Sequence, residues 1–393
     1  MQIAERQLLL RDSDFVRILR LAAEEKGLIS LGPGEPDFDT PKFIRQATKN
    51  ALDAGETHYS SMAGRPELRE AIAKKFKKEK RVNVDPDKNV IVTCGSNEAL
   101  FLAFMSVLDP GEEVLVPDPC FLSYIPTVEA MNAYPVSIPL KEEDGFQLYA
   151  EAIEDAIKDP KRVRALVLSS PSNPTGTLLK KKGLEELADI AVEHDFLVFM
   201  DEAYEQLVYK GKYHSLASLN GMENYCVTFQ TFSKSYAMPG YRLGYAVGPE
   251  KLIQAMTRLH TYTTLTAPTM SQIAGYRALT GPQGAVERMR REYNRRRKLV
   301  VKRLGAIDGL SLVEPDGAFY AFPSIHFKKR GKKLTSGQFC ELLLKQAKVL
   351  AVPGTEFGRY GEGFIRLSYA TEYSKIKEGL DRIEEFTTTL TVG

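Results

Sequence analysis

The chain has 393 residues, 43% of them hydrophobic, enough to bury a full apolar core as one large unit with a second, smaller one. Its 53 Lys and Arg against 51 Asp and Glu leave a formal charge of +2, so no global field argues for nucleic acid or an anionic membrane, and a small-molecule partner is expected. Cys94, Cys120, Cys226 and Cys340 lie far apart with no Cys-x-x-Cys pair, which disfavours a disulfide framework and any structural metal and points to a reducing cytoplasm.

In chain order, residues 1–10 include Glu5 and Arg6 and lack a long apolar core, and no run of roughly eighteen apolar residues follows, so neither a targeting nor a spanning segment is expected. Residues 11–26 place Phe15, Ile18, Leu19 and Ala22 at helical spacing. The glycine- and proline-rich residues 31–38 cannot be regular; Gly34 there marks either a plain turn or a close backbone approach to a ligand. Helices are predicted over 41–54 and up to Lys80. The polar loop between them carries Tyr59, a surface or interface aromatic or a ligand contact.

From residue 90 a pattern repeats. Residues 90–94 read as a strand and 95–98 as a helix start, with Ser96 as its cap. The N–H groups of such a start hold either nothing or an anion. A second strand over 113–116 leads to Phe121 and Tyr124, aromatics that pack in a core or lie flat on a planar ring. A third, 164–168, runs into Asn173, bracketed by Pro171 and Pro174, which fix its backbone and aim its amide. A fourth, 196–200, ends at Asp201, a partly buried acid that should have a cationic partner.

The fifth strand, 226–230, ends just before Ser233-Lys234. Ser233 and Arg242 supply a hydroxyl and a fixed cation suited to a phosphate, and Pro239-Gly240 turns the chain back toward them. A lysine at a strand end is solvated, or, beside a phosphate site, can carry an aldehyde cofactor as a Schiff base. Strands alternating with helices over 90–247 predict an α/β fold, a mainly parallel sheet with helices on both faces. Ser96, Phe121, Asn173, Asp201 and Lys234 all fall just past carboxyl ends of strands, where ligands bind in such sheets.

Beyond Gly248, helices interrupted at 261–269 end at a break over 281–284, and an arginine-dense helix over 287–304 is expected to be a solvated face. The remainder is predicted as a smaller α+β unit: a strand pair around Leu312 and 319–322, a lysine-rich loop over 328–333, a helix over 338–347 and a strand over 364–368. Arg366 alternates with apolar neighbours on that strand, so it points inward, either as a clamp on a substrate carboxylate or in an internal ion pair. The expected division is a large unit over 46–284 and a small one from 1–45 and 285–393.

With Asn173-Pro-Thr-Gly176, Asp201-Glu-Ala-Tyr204, Ser233-Lys234, Arg242 and Arg366 in this order and spacing, the chain resembles the class I/II aminotransferases, fold type I of the pyridoxal-phosphate enzymes. It most resembles the archaeal-type subgroup containing aspartate and aromatic aminotransferases. The resemblance implies that Lys234 forms the Schiff base and shuttles the substrate Cα proton, that Asp201 pairs with the pyridinium nitrogen, and that Asn173 and Tyr204 hydrogen-bond the ring hydroxyl oxygen. It implies that Phe121 stacks on the ring, that Ser96, Asn97, Ser233 and Arg242 hold the phosphate, and that Arg366, Asn173 and the Gly34 backbone bind the substrate carboxylate. Tyr59 would reach the phosphate of a neighbouring subunit, hence a homodimer.

Two positions depart from the family pattern: Phe121 stands where many relatives have Trp or Tyr, and Pro239 where Thr is common. A third, Asn97, replaces a lysine that reads the distal carboxylate in some bacterial aspartate enzymes, which argues against a strict dicarboxylic preference. The leading expectation is transfer of the amino group of an L-amino acid, aspartate or aromatic, to 2-oxoglutarate or another 2-oxo acid by a ping-pong cycle. A lyase acting on β-substituted amino acids would use the same residues. A DNA-binding regulator is disfavoured because too few residues precede the motifs.

Overall fold

The chain begins with short elements that serve the later ones. In this computed structural model, which describes residues 4, 7, 14–23, 25–219 and 221–393, they are α1 (Asp14–Ala23), β1 (Ile29–Ser30), α2 (Lys42–Asp53) and α3 (Pro66–Lys75), the last continuing as a π-helical turn, Phe76–Lys80. Ile18 and Ala22 are buried as expected, whereas Leu19 is 39% exposed: the apolar stripe is narrower than the sequence suggests. The expected beginning of this helix at residue 11, and the Phe15 side chain, lie outside the described residues.

The middle of the chain runs β2 (Val90–Thr93), α4 (Ser96–Val107), β3 (Glu113–Asp118), α5 (Tyr124–Ala130), β4 (Tyr134–Pro139), α6 (Ala150–Ala156), β5 (Val163–Ser169), α7 (Lys181–Glu193), β6 (Leu197–Asp201), β7 (Cys226–Thr231) and β8 (Gly244–Val247). Its strands form one sheet in the order β2-β8-β7-β6-β5-β3-β4. Strands β3 to β7 run parallel, while β8 is antiparallel to both of its neighbours. Side chains alternate between faces along each strand. Thus Ala165, Val167 and Phe199 join one apolar cluster and Leu166, Leu168, Val198 and Met200 another, which is why the strands are apolar throughout and helices cover both faces. Strand β4 was not expected; exposed Tyr134 and the prolines at 135 and 139 give it the polar, proline-bearing character of a sheet edge.

After α8 (Glu250–Thr263), α9 (Thr269–Thr280) and α10 (Gly284–Leu304) come β9 (Leu310–Ser311), β10 (Tyr320–Ala321), β11 (Ser324–Ile325), β12 (Phe327–Lys329), β13 (Lys332–Lys333), α11 (Ser336–Leu342), β14 (Val349–Leu350), β15 (Val352–Pro353), β16 (Ile365–Ser368), α12 (Tyr373–Thr387) and β17 (Thr391–Val392). Three expectations change here. Strand β9 pairs with β11, and β10 with β16, so the two predicted partners belong to different sheets. The lysine-rich loop is a hairpin, β12 against β13. Helix α10 is not merely a solvated face: Arg296 and Arg297 are buried and bond Asp37 and Glu314, each at 2.7 Å.

Ile18, Ala22, Ile29 and Leu31 share a core with residues 289–386, whereas Ile44 joins Leu68, Val92 and Val286 in another. Among the described residues no helix is long and apolar enough to cross a membrane.

Candidate active site

Parallel strands put their carboxyl ends at one edge of a sheet. Because β8 is reversed, its amino end lies at that same edge, and Thr93 and Thr231 both pair with Gly244. Residues just past β2, β3, β5, β6 and β7 and just before β8 therefore converge. Gly34, Ser96, Asn97, Phe121, Asn173, Asp201, Tyr204, Ser233, Lys234, Arg242 and Arg366 all line one cleft of about 290 Å³. Tyr59 does not; it is 82% exposed.

Lys234 brings an amine into the cleft. Its Nζ donates to the Gly34 carbonyl at 2.5 Å and lies 5.9 and 5.7 Å from the Tyr204 and Phe319 ring centres. Burial, with the Arg366 cation next in weight, lowers its pKa from 10.5 to about 8, against the pull of Asp201. Roughly a tenth of the amine is thus neutral, and nucleophilic, at pH 7, far more than for an ordinary lysine.

Asp201 is held by Tyr124 Oη, which donates at 3.0 Å, and by the Ala203 N–H at 3.0 Å. Among the described residues no side chain is ion-paired with it, so the cationic partner expected from the sequence is not found there. Burial raises this carboxyl to about 6, although Ala203, Tyr124 and Lys234 oppose it. Here is a buried acid directed into a cleft with room for a cation beside it.

Arg366, on β16, is also buried. Its Nη1 donates to Asn173 Oδ1 at 2.9 Å and its Nη2 to the Gly32 carbonyl at 2.8 Å. Its guanidinium lies against Tyr320 and Phe357, 4.4 and 4.7 Å from the ring centres, and Nε makes no hydrogen bond. No acid of the described residues is ion-paired with it, so the internal ion pair is not formed. A buried guanidinium supported by neutral groups has donors left for an incoming carboxylate.

The other end of the cleft collects N–H donors and Arg242. Ser96 is not the helix cap: Gly95 occupies that position at φ 87°, and Ser96 is the first residue of α4. A Cβ at Gly95 would stand 2.8 Å from Arg242 Nη2, and one at Gly244 would stand 2.4 Å from the Ser96 nitrogen. Glycine at both positions lets the guanidinium and the helix start draw together, leaving the N–H groups of Ser96 and Asn97 open to an anion.

The family profile for "Aminotransferase class I and II" matches residues 26–383. This chain belongs to the class I and II aminotransferases. It is 46% identical over 388 residues to the aspartate aminotransferase of Pyrococcus abyssi, and 46% identical over 388 residues to the aromatic-amino-acid aminotransferase 2 of Thermococcus litoralis, covering 98% of each chain in both cases. The crystal structure of the aspartate aminotransferase from Rhizobium meliloti superposes with a TM-score of 0.94 at 38% identity, covering 100% of both chains. The reaction is therefore amino-group transfer, and the lyase alternative is not favoured.

Two tyrosines of this aminotransferase have roles that the sequence reading missed, Tyr320 in the cleft and Tyr124 behind Asp201. Tyr320 bonds the Tyr204 hydroxyl at 2.7 Å and packs under Arg366; a Cβ on Gly34 would stand 2.1 Å from its Oη, which is why that loop position is glycine. Tyr124, singled out only as an aromatic, acts through its hydroxyl on Asp201. Both lie in apolar runs where a tyrosine looks like core packing, and only the pairing of hydroxyls gives them away.

Proposed function

We propose that the aminotransferase is pyridoxal-phosphate-dependent, takes the amino group of aspartate or an aromatic L-amino acid, and gives it to 2-oxoglutarate or another 2-oxo acid. The carrying observation is the meeting of three groups in one cleft: a Lys234 amine whose pKa is lowered to about 8, and, among the described residues, an Asp201 carboxyl without a paired cation and an Arg366 guanidinium without a paired anion. With Arg242 and the Ser96–Asn97 helix start at the other end of the cleft, the first two fit a group that has an aldehyde, a basic ring nitrogen and an anionic end, and Arg366 fits the carboxylate of an amino-acid substrate. The substrate classes rest on the names of the relatives.

In this reading Ser96, Asn97, Ser233 and Arg242 would hold the phosphate, Asp201 the ring nitrogen, Asn173 and Tyr204 the ring oxygen, and Phe121 a ring face. When bound, pyridoxal phosphate supplies an electron-withdrawing ring that stabilises the charge left when a substrate loses its Cα proton. Lys234 Nζ accepts that proton and returns it, a task for which a pKa near 8 suits an amine. Arg366, with Asn173, orients the substrate carboxylate and so fixes the Cα–H toward Lys234. Asp201, ionised against a cationic nitrogen, keeps that nitrogen protonated.

The proposal includes a homodimer in which Tyr59 serves the neighbouring cleft, a large unit over 46–284 with a small one from 1–45 and 285–393, and a cytoplasmic location. The test is a donor screen: amino acids offered with 2-oxoglutarate, glutamate measured, and the bound cofactor followed by absorbance in single turnovers. Aspartate or an aromatic donor should bleach the cofactor band and yield glutamate. Bound cofactor with no glutamate from any donor would overturn the reading.

A further inference from the structure

Outside the cleft, a buried histidine and a half-buried carboxylate meet between two segments that the site draws on separately. His260, on α8, is fully buried. Its Nδ1 lies 2.8 Å from the Met62 carbonyl oxygen and its Nε2 lies 3.4 Å from Glu98 Oε2. The Met62 oxygen only accepts, so Nδ1 carries a proton, and a second proton on Nε2 would face the Glu98 carboxylate.

Glu98 is in the first turn of α4, two residues after Ser96, and also accepts from the Cys94 N–H at 2.6 Å and the Thr264 hydroxyl at 2.6 Å. Met62 belongs to the 58–65 loop that carries Tyr59. Neutral bonds fasten the same loop: Thr269 Oγ1 donates to the His58 carbonyl at 2.7 Å, and Gln272 Oε1 accepts from the Arg65 N–H at 2.7 Å. Among the described residues, the contact between this loop and α4 that can carry charge runs through His260.

We infer that His260 is a positioning residue, an imidazolium that ties the 58–65 loop to the first turn of α4 and thereby holds the Ser96–Asn97 turn in place for an anion. The inference rests on the proposed reading of that turn as a cofactor phosphate contact. The groups that face the ring are the Glu98 carboxylate from α4, the Cys94 thiol past the end of β2 and the Met62 carbonyl from the loop. Nε2 meets Glu98 at ion-pair distance without hydrogen-bond geometry, so the link depends on charge. Burial opposes that charge, but Cys94, Glu98 and Met62 outweigh it and raise the imidazole to about 9. Glu98 is lowered to about 2 by His260, Thr264 and Cys94 against its own burial.

The sign follows. A base whose pKa is raised on folding stabilises the fold fully below its unfolded value, about 6.5, and that contribution is lost as the pH rises through about 9. Imidazole nitrogen shifts of the wild-type protein at pH 7 should show both His260 nitrogens protonated; a neutral tautomer overturns the inference. In dialysis of the holoenzyme at pH 7, His260→Gln should raise the apparent Kd for pyridoxal phosphate about tenfold, the scale of one well-placed charge contact, and Glu98→Gln should do likewise. The wild type should also lose affinity as the pH passes about 9, a step absent from His260→Gln. A lowered melting temperature with unchanged Kd would leave His260 a merely structural residue and sink the inference. Should His260→Gln fail to fold, Glu98→Gln and the nitrogen shifts decide. A wild type that binds no pyridoxal phosphate sinks the parent reading instead.

Discussion

At the scale of single residues the chemistry turns on how burial sets charge. Lys234 and Asp201 are both moved toward their neutral forms by desolvation, to about 8 and about 6, and among the described residues neither is ion-paired. Two outcomes follow. In cofactor-free protein, reductive alkylation of Lys234 by a small aldehyde should rise with pH through a midpoint near 8; because the Arg366 cation is second only to burial in lowering that value, Arg366→Gln should move the midpoint upward. Peptide mass spectrometry reads both. For turnover, Lys234→Ala should lower kcat by at least about 10³-fold, since it removes nucleophile and base together. Arg366→Gln should raise KM for amino-acid donors by on the order of 10²-fold while leaving the cofactor absorbance in place, because a buried charge-assisted carboxylate contact is worth roughly 2–5 kcal/mol.

At the scale of elements, two features place these residues without touching substrate. The reversal of β8 brings Arg242 to the edge where the parallel strands end. The π-helical turn Phe76–Lys80 after α3 directs Lys80 inward to Glu202 and Glu205, where Glu202 also accepts from Ser215 at 2.6 Å and Gln230 at 3.0 Å. This buried network sits behind Asp201. Removing one member strands charge in a dry interior, so Lys80→Met should cost about 3–5 kcal/mol in urea unfolding. Gly95→Ala should weaken pyridoxal-phosphate retention in dialysis, because a Cβ at positive φ would meet Arg242 Nη2 at 2.8 Å.

Across the whole molecule, the cleft draws its residues from two sheets and the loops beside them. Lys234, Asp201 and Arg242 come from the seven-stranded sheet; Arg366 and Tyr320 come from the small sheet β10-β16-β15. Tyr59 and Tyr262, 82% and 87% exposed, present large aromatic surfaces of the kind a second copy covers. Light scattering should give twice the 43.9 kDa of one chain, and Tyr59→Phe should lower cofactor retention without changing that mass.

The amino-acid sequence alone determined the strand–helix alternation, the parallel edge and the candidacy of Lys234, Asp201, Asn173 and Arg366, all of which line the cleft. These are local properties: period, turn residues, and polar groups set against apolar runs. The tertiary structure alone decided strand direction in β8, the partners of β9 and β10, the role of glycine rather than serine at the start of α4, and the hydroxyls of Tyr124 and Tyr320. It also decided that Asp201 and Arg366 face the cleft without ion partners and that Arg296 turns inward. Each of those depends on which distant atoms stand within a few ångströms, and a one-dimensional pattern carries no record of that.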